Sequence, residues 1–512
     1  MYCKVISGAV LGIEVYLVEV EICVNDGFPC FEMVGYLSSE VKEARERVCV
    51  SILNSGIRIP PKHVTINISP AHIRKCGTAF ELPIAMGLLI GLGIIPARSL
   101  ENCLVMGEIG LDGKTKFTQA VLPTVLEAKK RGMKQCLIPE ENAREGGIVD
   151  GIEVIGIKDL KQLIIYLQTK KEDRSKIIKP TTVSIDDLFL NKDHSIPYDF
   201  LDVVGQRATK RAVEIAAAGF HNLIMTGPPG TGKTMIAKRV PYILPPLSLE
   251  ESLEVSKIYS VAGLLNKGQT ILTNRPFLSP HHTISEHALA GGGRNPKPGV
   301  ISLAHRGILF LDELPEFKRS TLEILRQPLE DKKILISRVS GNLIYPANFM
   351  LIAAMNPCPC GFYPDRNICH CKDFEIKRYQ NRISGALLDR IDIATEVSNI
   401  SLKNMEKNKK SEGSISIRER VMEARERQKF RFQETKIQFN AELTALEITK
   451  YCNLEQREAK FMEEVFEELK LSVRAYHKVL KVARTIADLQ GKEKITCEFL
   501  SEAVGYRKLN IK

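Results

Sequence analysis

The chain has 512 residues, of which 44% are hydrophobic, and carries a formal net charge of +11. This length predicts about three domains with ordinary buried cores. The basic charge favours a polyanionic partner such as nucleic acid without identifying one. The longest apolar run, 82–97, contains prolines and is too short to span a bilayer, so it predicts a buried helix and no membrane partner. Thirteen cysteines and no secretory-type N-terminus lead us to expect a cytoplasmic, reducing location.

Strand and helix patterns alternate through the first third of the chain. Residues 1–167 therefore predict an α+β domain, with a helix over 39–54 and strands over 15–24 and 64–68. Two further strands are expected near its end, over 135–139 and 151–157. The stretch 168–179 is charged and lacks an apolar face, so residues 168–199 are interpreted as a linker.

The remaining chain divides into two further regions, which make the predicted fold class α/β. Alternating strands and helices over 200–400 predict a parallel sheet covered by helices on its faces. A second charged stretch, 401–414, is the next predicted linker. Residues 415–512 follow a helical pattern and predict a small C-terminal helical domain.

The most informative stretch is Gly-Pro-Pro-Gly-Thr-Gly-Lys-Thr at 227–234, between an apolar strand and a helix start. This context predicts a P-loop, whose glycines let backbone N–H groups point at phosphate oxygens. Lys233 is expected to reach the β- and γ-phosphates, and Thr234 to hold Mg²⁺. The predicted nucleotide-binding residues are Gly227, Pro228, Pro229, Gly230, Thr231, Gly232, Lys233 and Thr234.

Two more apolar strands end in polar side chains suited to ATP hydrolysis. The strand over 308–311 is followed by Asp312, a candidate Mg²⁺ ligand, and by Glu313, a candidate base for the attacking water. The strand over 350–355 is followed by Asn356, placed to orient that water. The alternatives are an acidic turn at one strand end and an ordinary turn before proline at the other.

Arginines are candidates for contacting the γ-phosphate. Arg390 is predicted to act as a finger on nucleotide bound by a neighbouring subunit. Arg382 is the second choice, and the simpler alternative is that Arg390 pairs with Asp389 or Asp392. Arg474 opens a helix over 473–489 and is predicted to contact phosphate from a helical lid, the alternative being a surface arginine.

Four cysteines bracket a short loop and predict a possible structural Zn²⁺ site. Cys358, Cys360, Cys369 and Cys371 form two Cys-x-Cys pairs, and four thiolates this close can bind zinc tetrahedrally. The gap within each pair is tighter than usual, so free thiols remain the alternative. His370 is a possible substitute ligand.

Several segments together resemble AAA+ ATPases of the magnesium-chelatase/minichromosome-maintenance branch, and most closely the bacterial ComM/YifB family. The segments that carry this resemblance are 279–285, 291–299, 304–307, 355–361 and 482–489. The resemblance implies a homo-hexameric ring that uses ATP and Mg²⁺, with nucleotide between subunits and a C-terminal helical lid. Members of that family are implicated in branch migration of DNA during natural transformation.

The same resemblance places pore elements in two insertions. One, 279–300, is glycine-rich and carries Arg294 and Lys297; the other, 334–349, reads as a hairpin with its turn at 340–342. Lys332, Lys333 and Arg338 are expected to meet DNA phosphates there. The alternative is a solvated basic hairpin.

The first domain resembles the peptidase domain of Lon, on the residues 107–110 and 137–142. The turn over 75–80 offers Thr78 but no serine, and 117–126 lacks the expected Gly-Gly-x-Lys. We therefore expect a non-catalytic domain for assembly or nucleic-acid contact.

These observations predict an ATP-driven ring helicase acting on single-stranded or branched DNA. One alternative is a chelatase-like ATPase that remodels a partner protein without DNA. Another is a DNA-binding scaffold with vestigial hydrolysis, against which the complete set of acids argues.

Overall fold

Three regions of secondary structure follow one another along the chain in the computed structural model. The structure describes residues 1–190, 197–293, 296–338, 341–399 and 412–507. Within those ranges, no helix has the length and apolar character needed to cross a membrane.

The N-terminal region is built on a seven-stranded mixed sheet of order β3-β4-β2-β1-β5-β8-β9. The pairs β1–β2 and β2–β4 are antiparallel, and the other neighbours are parallel. Its strands and one small ribbon, β6–β7, are β1 (Tyr2–Leu11), β2 (Glu14–Asn25), β3 (Cys30–Val34), β4 (His63–Ser69), β5 (Cys103–Val105), β6 (Glu108–Ile109), β7 (Thr115–Lys116), β8 (Gln135–Pro139) and β9 (Glu153–Ile157).

Helices cover this sheet, and the second of them is entirely buried. The helices are α1 (Ser39–Asn54), α2 (Glu81–Gly91), α3 (Val121–Lys130), α4 (Ala143–Gly146) and α5 (Leu160–Gln168). Every residue of α2 is buried, so the predicted core helix is present over the first part of the apolar run and ends at Gly91. At Gly87, a Cβ would lie 2.2 Å from Ile22 Cδ1, so glycine lets α2 lie directly on the sheet.

Part of the charged stretch 168–179, which was predicted as linker, is anchored on the first region. Arg174 is buried, and its guanidinium donates to the carbonyls of Thr169 and Leu167 and lies over the Tyr166 ring at 5.3 Å. Ile178 is buried in the same core. An arginine satisfied by backbone carbonyls tolerates burial, which residue type alone does not reveal. A short helix, α6 (Ile185–Leu190), follows.

The central region is a five-stranded, all-parallel sheet with helices around it. Its strands and two small hairpins are β10 (Leu223–Thr226), β11 (Phe277–Leu278), β12 (Gly291–Gly292), β13 (Lys297–Pro298), β14 (Ile308–Leu311), β15 (Lys333–Arg338), β16 (Gly341–Pro346), β17 (Met350–Met355) and β18 (Ile393–Glu396). The sheet order is β11-β14-β17-β10-β18, so all five carboxyl ends lie at one edge. The helices are α7 (Arg207–Gly219), α8 (Lys233–Ala237), α9 (Leu249–Ala262), α10 (Glu286–Ala290), α11 (Val300–Leu303), α12 (Arg319–Glu323), α13 (Arg326–Asp331), α14 (Asp373–Gln380) and α15 (Gly385–Leu388).

The C-terminal region is helical and shares one hydrophobic core with the central sheet. Its helices are α16 (Ser414–Arg431), α17 (Ala445–Tyr451), α18 (Gln456–Glu468), α19 (Val473–Leu489) and α20 (Cys497–Gly505). A buried hydrogen bond of 2.8 Å joins His221 Nε2 to Thr485 Oγ1, between the end of α7 and α19. The helices are thus fixed to the central region by apolar packing and by buried polar contacts.

The N-terminal region also contacts the central one. The Ala120 N–H donates to the Ser260 carbonyl at 3.1 Å, and Ser260 Oγ donates to Glu145 Oε1 at 2.6 Å. At the β1–β2 turn, Leu11 and Ile13 pack against the core that contains the β15–β16 hairpin. The first region therefore touches both α9 and that hairpin.

Candidate nucleotide and metal sites

Three predicted groups meet at the carboxyl edge of the central sheet. The P-loop follows β10, Asp312 follows β14 and Asn356 follows β17, and these three strands are neighbours in the sheet. Ligands collect at this edge in open parallel sheets. Chain topology therefore brings together side chains that are far apart in sequence.

Lys233 is held in place by oxygen acceptors. Its Nζ donates to the carbonyls of Gly227 at 2.7 Å and Pro228 at 2.8 Å, and to Asn356 Oδ1 at 3.1 Å. Burial lowers the pKa of Lys233, and the charges of Asp312 and Glu313 oppose that shift. A bound triphosphate would offer this ammonium stronger, anionic acceptors.

The loop backbone requires its glycines. At Gly227 a Cβ would lie 2.2 Å from the carbonyl oxygen of Val397, so only glycine allows this approach at the end of β18. Gly232 has φ +88°, in the left-handed region that glycine adopts without strain. These positions shape a loop that opens directly onto α8.

Thr234 and Asp312 form the pair expected to hold Mg²⁺. Thr234 Oγ1 donates to Asp312 Oδ2 at 2.5 Å, so a hydroxyl from the first turn of α8 and a carboxylate from the end of β14 converge. Oxygen donors of these two types suit Mg²⁺, which is bound by few protein ligands together with phosphate oxygens. The residues present therefore fit a magnesium–nucleotide complex, and the ion would neutralise charge developing on the phosphates.

Glu313 stands beside this pair with its carboxylate in solvent. Its backbone has φ +52°, and its N–H donates to Asp312 Oδ1 at 2.9 Å. The side chain is 60% exposed, which leaves room for a water molecule next to it. A carboxylate in this position can accept a proton from that water.

The structure adds a contact to Glu313 that sequence reasoning missed. His282 Nδ1 lies 3.6 Å from Glu313 Oε2, and the His282 ring packs 4.1 Å from that of His281. The order of the strands could have indicated this contact. The histidines follow β11, and β11 pairs with β14, which is followed by Asp312 and Glu313. From the sequence, these histidines were expected only as part of the insertion 279–300.

Arg390 lies away from the P-loop of its own chain. It precedes β18, and its carbonyl accepts from Asn222 Nδ2 at 3.0 Å at the amino end of β10. The P-loop begins at the other end of β10, four strand residues or about 13 Å away. The guanidinium donates to Glu330 Oε2 at 2.6 Å and not to Asp389 or Asp392.

Arg474 lies beside Arg390 and shares its partner. Arg474 donates to Glu330 Oε1, so one carboxylate bridges two guanidinium groups. Both arginines line a cleft of about 550 Å³ between the central and C-terminal regions. The helical region thus places Arg474 next to the predicted finger rather than next to its own P-loop.

Arg382, the second choice for the finger, has a different setting. Its guanidinium donates to Glu316 Oε2 at 2.8 Å and lies 5.7 Å from the Tyr379 ring centroid. Glu316 follows the acidic strand end of the same chain, so Arg382 is on the P-loop side of the sheet.

The four predicted cysteines form a tight cluster. Their sulfur atoms lie within 4.8 Å of one another, and Cys358 Sγ is 3.4 Å from Cys360 Sγ and 3.7 Å from Cys369 Sγ. Four sulfurs about 2.3 Å from a tetrahedral zinc would be about 3.8 Å apart. Cys371 completes this cluster, whereas His370 is exposed and outside it.

Backbone groups support the same arrangement. The N–H groups of Gly361 and Tyr363 donate to Cys358 Sγ at 3.2 and 3.4 Å. Such bonds stabilise a thiolate and orient it as a metal ligand. The donor set and its surroundings therefore fit Zn²⁺.

The two insertions lie side by side. Tyr345 of β16 donates to the Pro296 carbonyl at 2.9 Å, and a Cβ on Gly291 would lie 3.1 Å from Ile336 Cδ1. Lys297 and Lys333 are exposed on these insertions. Arg294 and the side chain of Arg338 lie outside what the structure describes.

Lys332 requires a correction as a DNA-contacting residue. It is partly buried and lines the cleft that holds Arg390, instead of projecting from the hairpin. Burial lowers its pKa, and the charges of Glu442 and Asp392 oppose the shift. Its left-handed backbone, φ +56°, ends α13 and turns the side chain away from the course of β15.

Comparison with known families agrees with this architecture along the chain. The family model described as "Magnesium chelatase, subunit ChlI" matches residues 199–405. "Subunit ChlI of Mg-chelatase" matches residues 20–142, and "Magnesium chelatase, subunit ChlI C-terminal" matches residues 411–507. Fold and site together define a P-loop ATPase of the AAA+ class with magnesium-chelatase-type domains.

Individual relatives cover nearly the whole chain. Competence protein ComM of Haemophilus influenzae is 40% identical over 99% of this chain and 97% of its own length. The YifB proteins of Salmonella typhimurium and Escherichia coli are each 41% identical over 98% of this chain and 96% of theirs. The chain belongs to the ComM/YifB family of magnesium-chelatase-like AAA+ ATPases.

Proposed function

We propose that this protein is a cytoplasmic, ring-forming ATPase that moves along DNA and drives branch migration as a helicase. The observation that carries the ring is the separation of Arg390 from its own P-loop. The sheet edge holds Lys233, Asp312, Glu313 and Asn356, while the finger arginine lies at the opposite edge. A neighbouring copy is then needed to bring the two halves together, and the family resemblance supports six copies.

The charge around Glu330 supports a site that is shared between neighbouring subunits. One carboxylate faces two guanidinium groups, Arg390 and Arg474, which leaves one positive charge in excess. Lys478, in the same cleft, is already paired with Asp392 at 2.9 Å. The unbalanced arginines suit the anionic γ-phosphate of nucleotide held by an adjacent subunit, where they would stabilise transition-state charge.

The two insertions are the proposed DNA-contacting elements. They touch each other, and Lys297 and Lys333 are exposed on them. A mobile phosphate backbone needs only such non-specific cationic contacts. The net charge of +11 and the resemblance to the ComM/YifB family support DNA as the load.

The experiment is the ATPase rate of the purified chain with and without single-stranded and branched DNA. We expect DNA to bind at low salt and to stimulate hydrolysis, and added salt to weaken binding because counterions are released. The double variant Lys297→Glu/Lys333→Glu should lose most stimulation and keep basal hydrolysis. Hydrolysis without DNA binding at low salt would remove the helicase function and retain the ATPase.

A second candidate, remodelling of a partner protein, is favoured by one observation. Leu335 and Ile344 are paired across the hairpin, and they are 44% and 55% exposed. Exposed apolar pairs suit a polypeptide better than a phosphate backbone. Stimulation by an unfolded polypeptide, lost in Leu335→Ser/Ile344→Ser and absent with DNA, would favour this function.

We also propose that Cys358, Cys360, Cys369 and Cys371 bind one Zn²⁺. The sulfur separations and the N–H donors to Cys358 support this ligand set. Metal analysis of protein purified without chelator or tag should find about one zinc per chain. Less than about a tenth of that, with all thiols reduced, would leave free thiols as the explanation.

A further inference from the structure

The cysteine loop is joined to the nucleotide site through the short backbone segment that follows β17. Asn356 directly follows β17 and accepts from Lys233 Nζ at 3.1 Å, and Cys358 comes two residues later. Between them, the Pro357 carbonyl accepts from buried Gln380 Nε2 at 3.0 Å. The first zinc ligand is therefore connected by a short, fixed backbone segment to the amide that holds the P-loop lysine.

A second contact joins the loop directly to the P-loop. Gly361 packs so closely on Pro229 that a Cβ at Gly361 would lie 2.5 Å from Pro229 Cδ. The same Gly361 donates its N–H to Cys358 Sγ at 3.2 Å, with φ +87°. One residue thus touches the P-loop on one side and orients a metal-ligating sulfur on the other.

The sulfur cluster lies at the centre of this loop. Its small buried apolar core consists of Cys358, Cys369 and Ile376, with Phe362 and Tyr363 packed against it, and Arg366 donates to the Cys371 carbonyl at 2.8 Å. Two of the three buried residues in this core are cysteines of the cluster, so the sulfur atoms are part of the packing that shapes the loop. Zinc would hold the four sulfurs around one centre, which neutral thiols cannot do. A bound metal would therefore tie the two Cys-x-Cys segments of the loop together.

We propose that zinc on the four cysteines braces the P-loop, so that zinc occupancy sets the affinity for nucleotide. The metal fixes Cys358 and Gly361, and these fix Asn356 and Pro229 against the triphosphate site. The proposal rests on the zinc site and on the ATP binding of the proposed function. It does not depend on DNA as the load.

The first test compares zinc content and nucleotide affinity in the full-length chain. Zinc is measured by mass spectrometry, and binding of a fluorescent ATP analogue is measured with Mg²⁺. The variant Cys360→Ser/Cys371→Ser should lose zinc and bind nucleotide roughly tenfold more weakly. The matched control Cys23→Ser/Cys49→Ser, in the N-terminal region, should keep both properties.

Withdrawal of the metal separates bracing from misfolding. A zinc-selective chelator should weaken nucleotide binding of the wild-type chain by a similar factor, and added zinc should restore it. Circular dichroism should stay unchanged throughout, because only one loop loses order.

The second test breaks the contact and keeps the metal. Gly361→Ala should retain zinc yet bind nucleotide about five- to tenfold more weakly, because its Cβ displaces Pro229 and its φ disfavours alanine. Gly385→Ala is the control, since no atom lies within 4 Å of a Cβ there. If nucleotide affinity did not depend on zinc, or were unchanged in Gly361→Ala, the proposed effect of zinc on the P-loop would be refuted and the ATPase function would stand. A wild-type chain that binds zinc but no nucleotide would overturn the ATPase as well.

Discussion

Single side chains decide whether bound ATP is hydrolysed. Glu313 is exposed beside the Thr234–Asp312 pair, where its carboxylate can accept a proton from a water molecule. We expect Glu313→Gln to bind ATP with unchanged affinity and to hydrolyse it about 10²-fold or more slowly. Equilibrium nucleotide binding and single-turnover hydrolysis measure the two effects separately.

The control for this change is Glu316→Gln, three residues on. Glu316 pairs with Arg382 at the surface, so its loss should change hydrolysis little. Wild-type turnover in Glu313→Gln would show that another group activates water.

At the scale of elements, a polar cluster joins α9 to the starts of β14 and β17. His305 Nδ1 accepts from the Asn348 N–H at 3.0 Å, so its Nε2 carries the proton and faces Glu254 at 3.3 Å. Burial lowers the pKa of His305, and the bond from His305 lowers the pKa of Glu254 to about 2, aided by Arg306.

Both shifts predict that acid destabilises this part of the fold. The folded pKa of His305 is below its unfolded value of about 6.5, so its stabilising contribution is complete above that pH and declines as pH falls through the folded pKa. Glu254 contributes above its unfolded pKa of about 4.3 and loses this as pH falls toward 2. The melting temperature should therefore begin to fall below about pH 6.5.

Comparison of two histidine variants identifies the source of this pH dependence. His305→Gln should lower the melting temperature at neutral pH and flatten its dependence as pH falls below about 6.5. His287→Gln, at an exposed position, should leave the profile unchanged. An unaltered profile in His305→Gln would assign the acid sensitivity to other groups.

At the scale of the whole molecule, complementation between subunits tests the ring. Arg390→Ala should retain ATP binding and lose hydrolysis by about 10³-fold, because the finger is missing at every interface. Lys233→Ala should fail to bind ATP. A mixture of the two should regain activity, since some interfaces then combine an intact P-loop with an intact Arg390.

Arg382→Ala is the control variant for this mixing experiment. Arg382 lies on the P-loop side of its own chain, so mixing it with Lys233→Ala should give no more activity than the sum of the parts. Full activity of Arg390→Ala alone would refute the shared site.

Local patterns in the sequence were sufficient to predict the secondary-structure elements and the P-loop half of the candidate site. The helices over 39–54 and 473–489 have the predicted bounds, because apolar spacing and N-terminal serines mark them locally. Lys233, Asp312 and Asn356 meet because parallel strands end at one edge, which follows from the alternation of strands and helices. The chain sequence alone therefore determined an ATPase core and the residues that meet at its candidate nucleotide site.

Tertiary packing determined the contacts that the sequence did not predict. Nothing near Arg390 or Arg474 in the sequence shows that Glu330 binds both, or that they lie at the edge opposite the P-loop. Likewise, Lys332 enters a cleft because α13 ends in a left-handed residue, and Gly361 meets Pro229 only once the sheet has formed. These contacts join residues distant in the chain, and their geometry depends on how elements pack, for which a local pattern carries no signal.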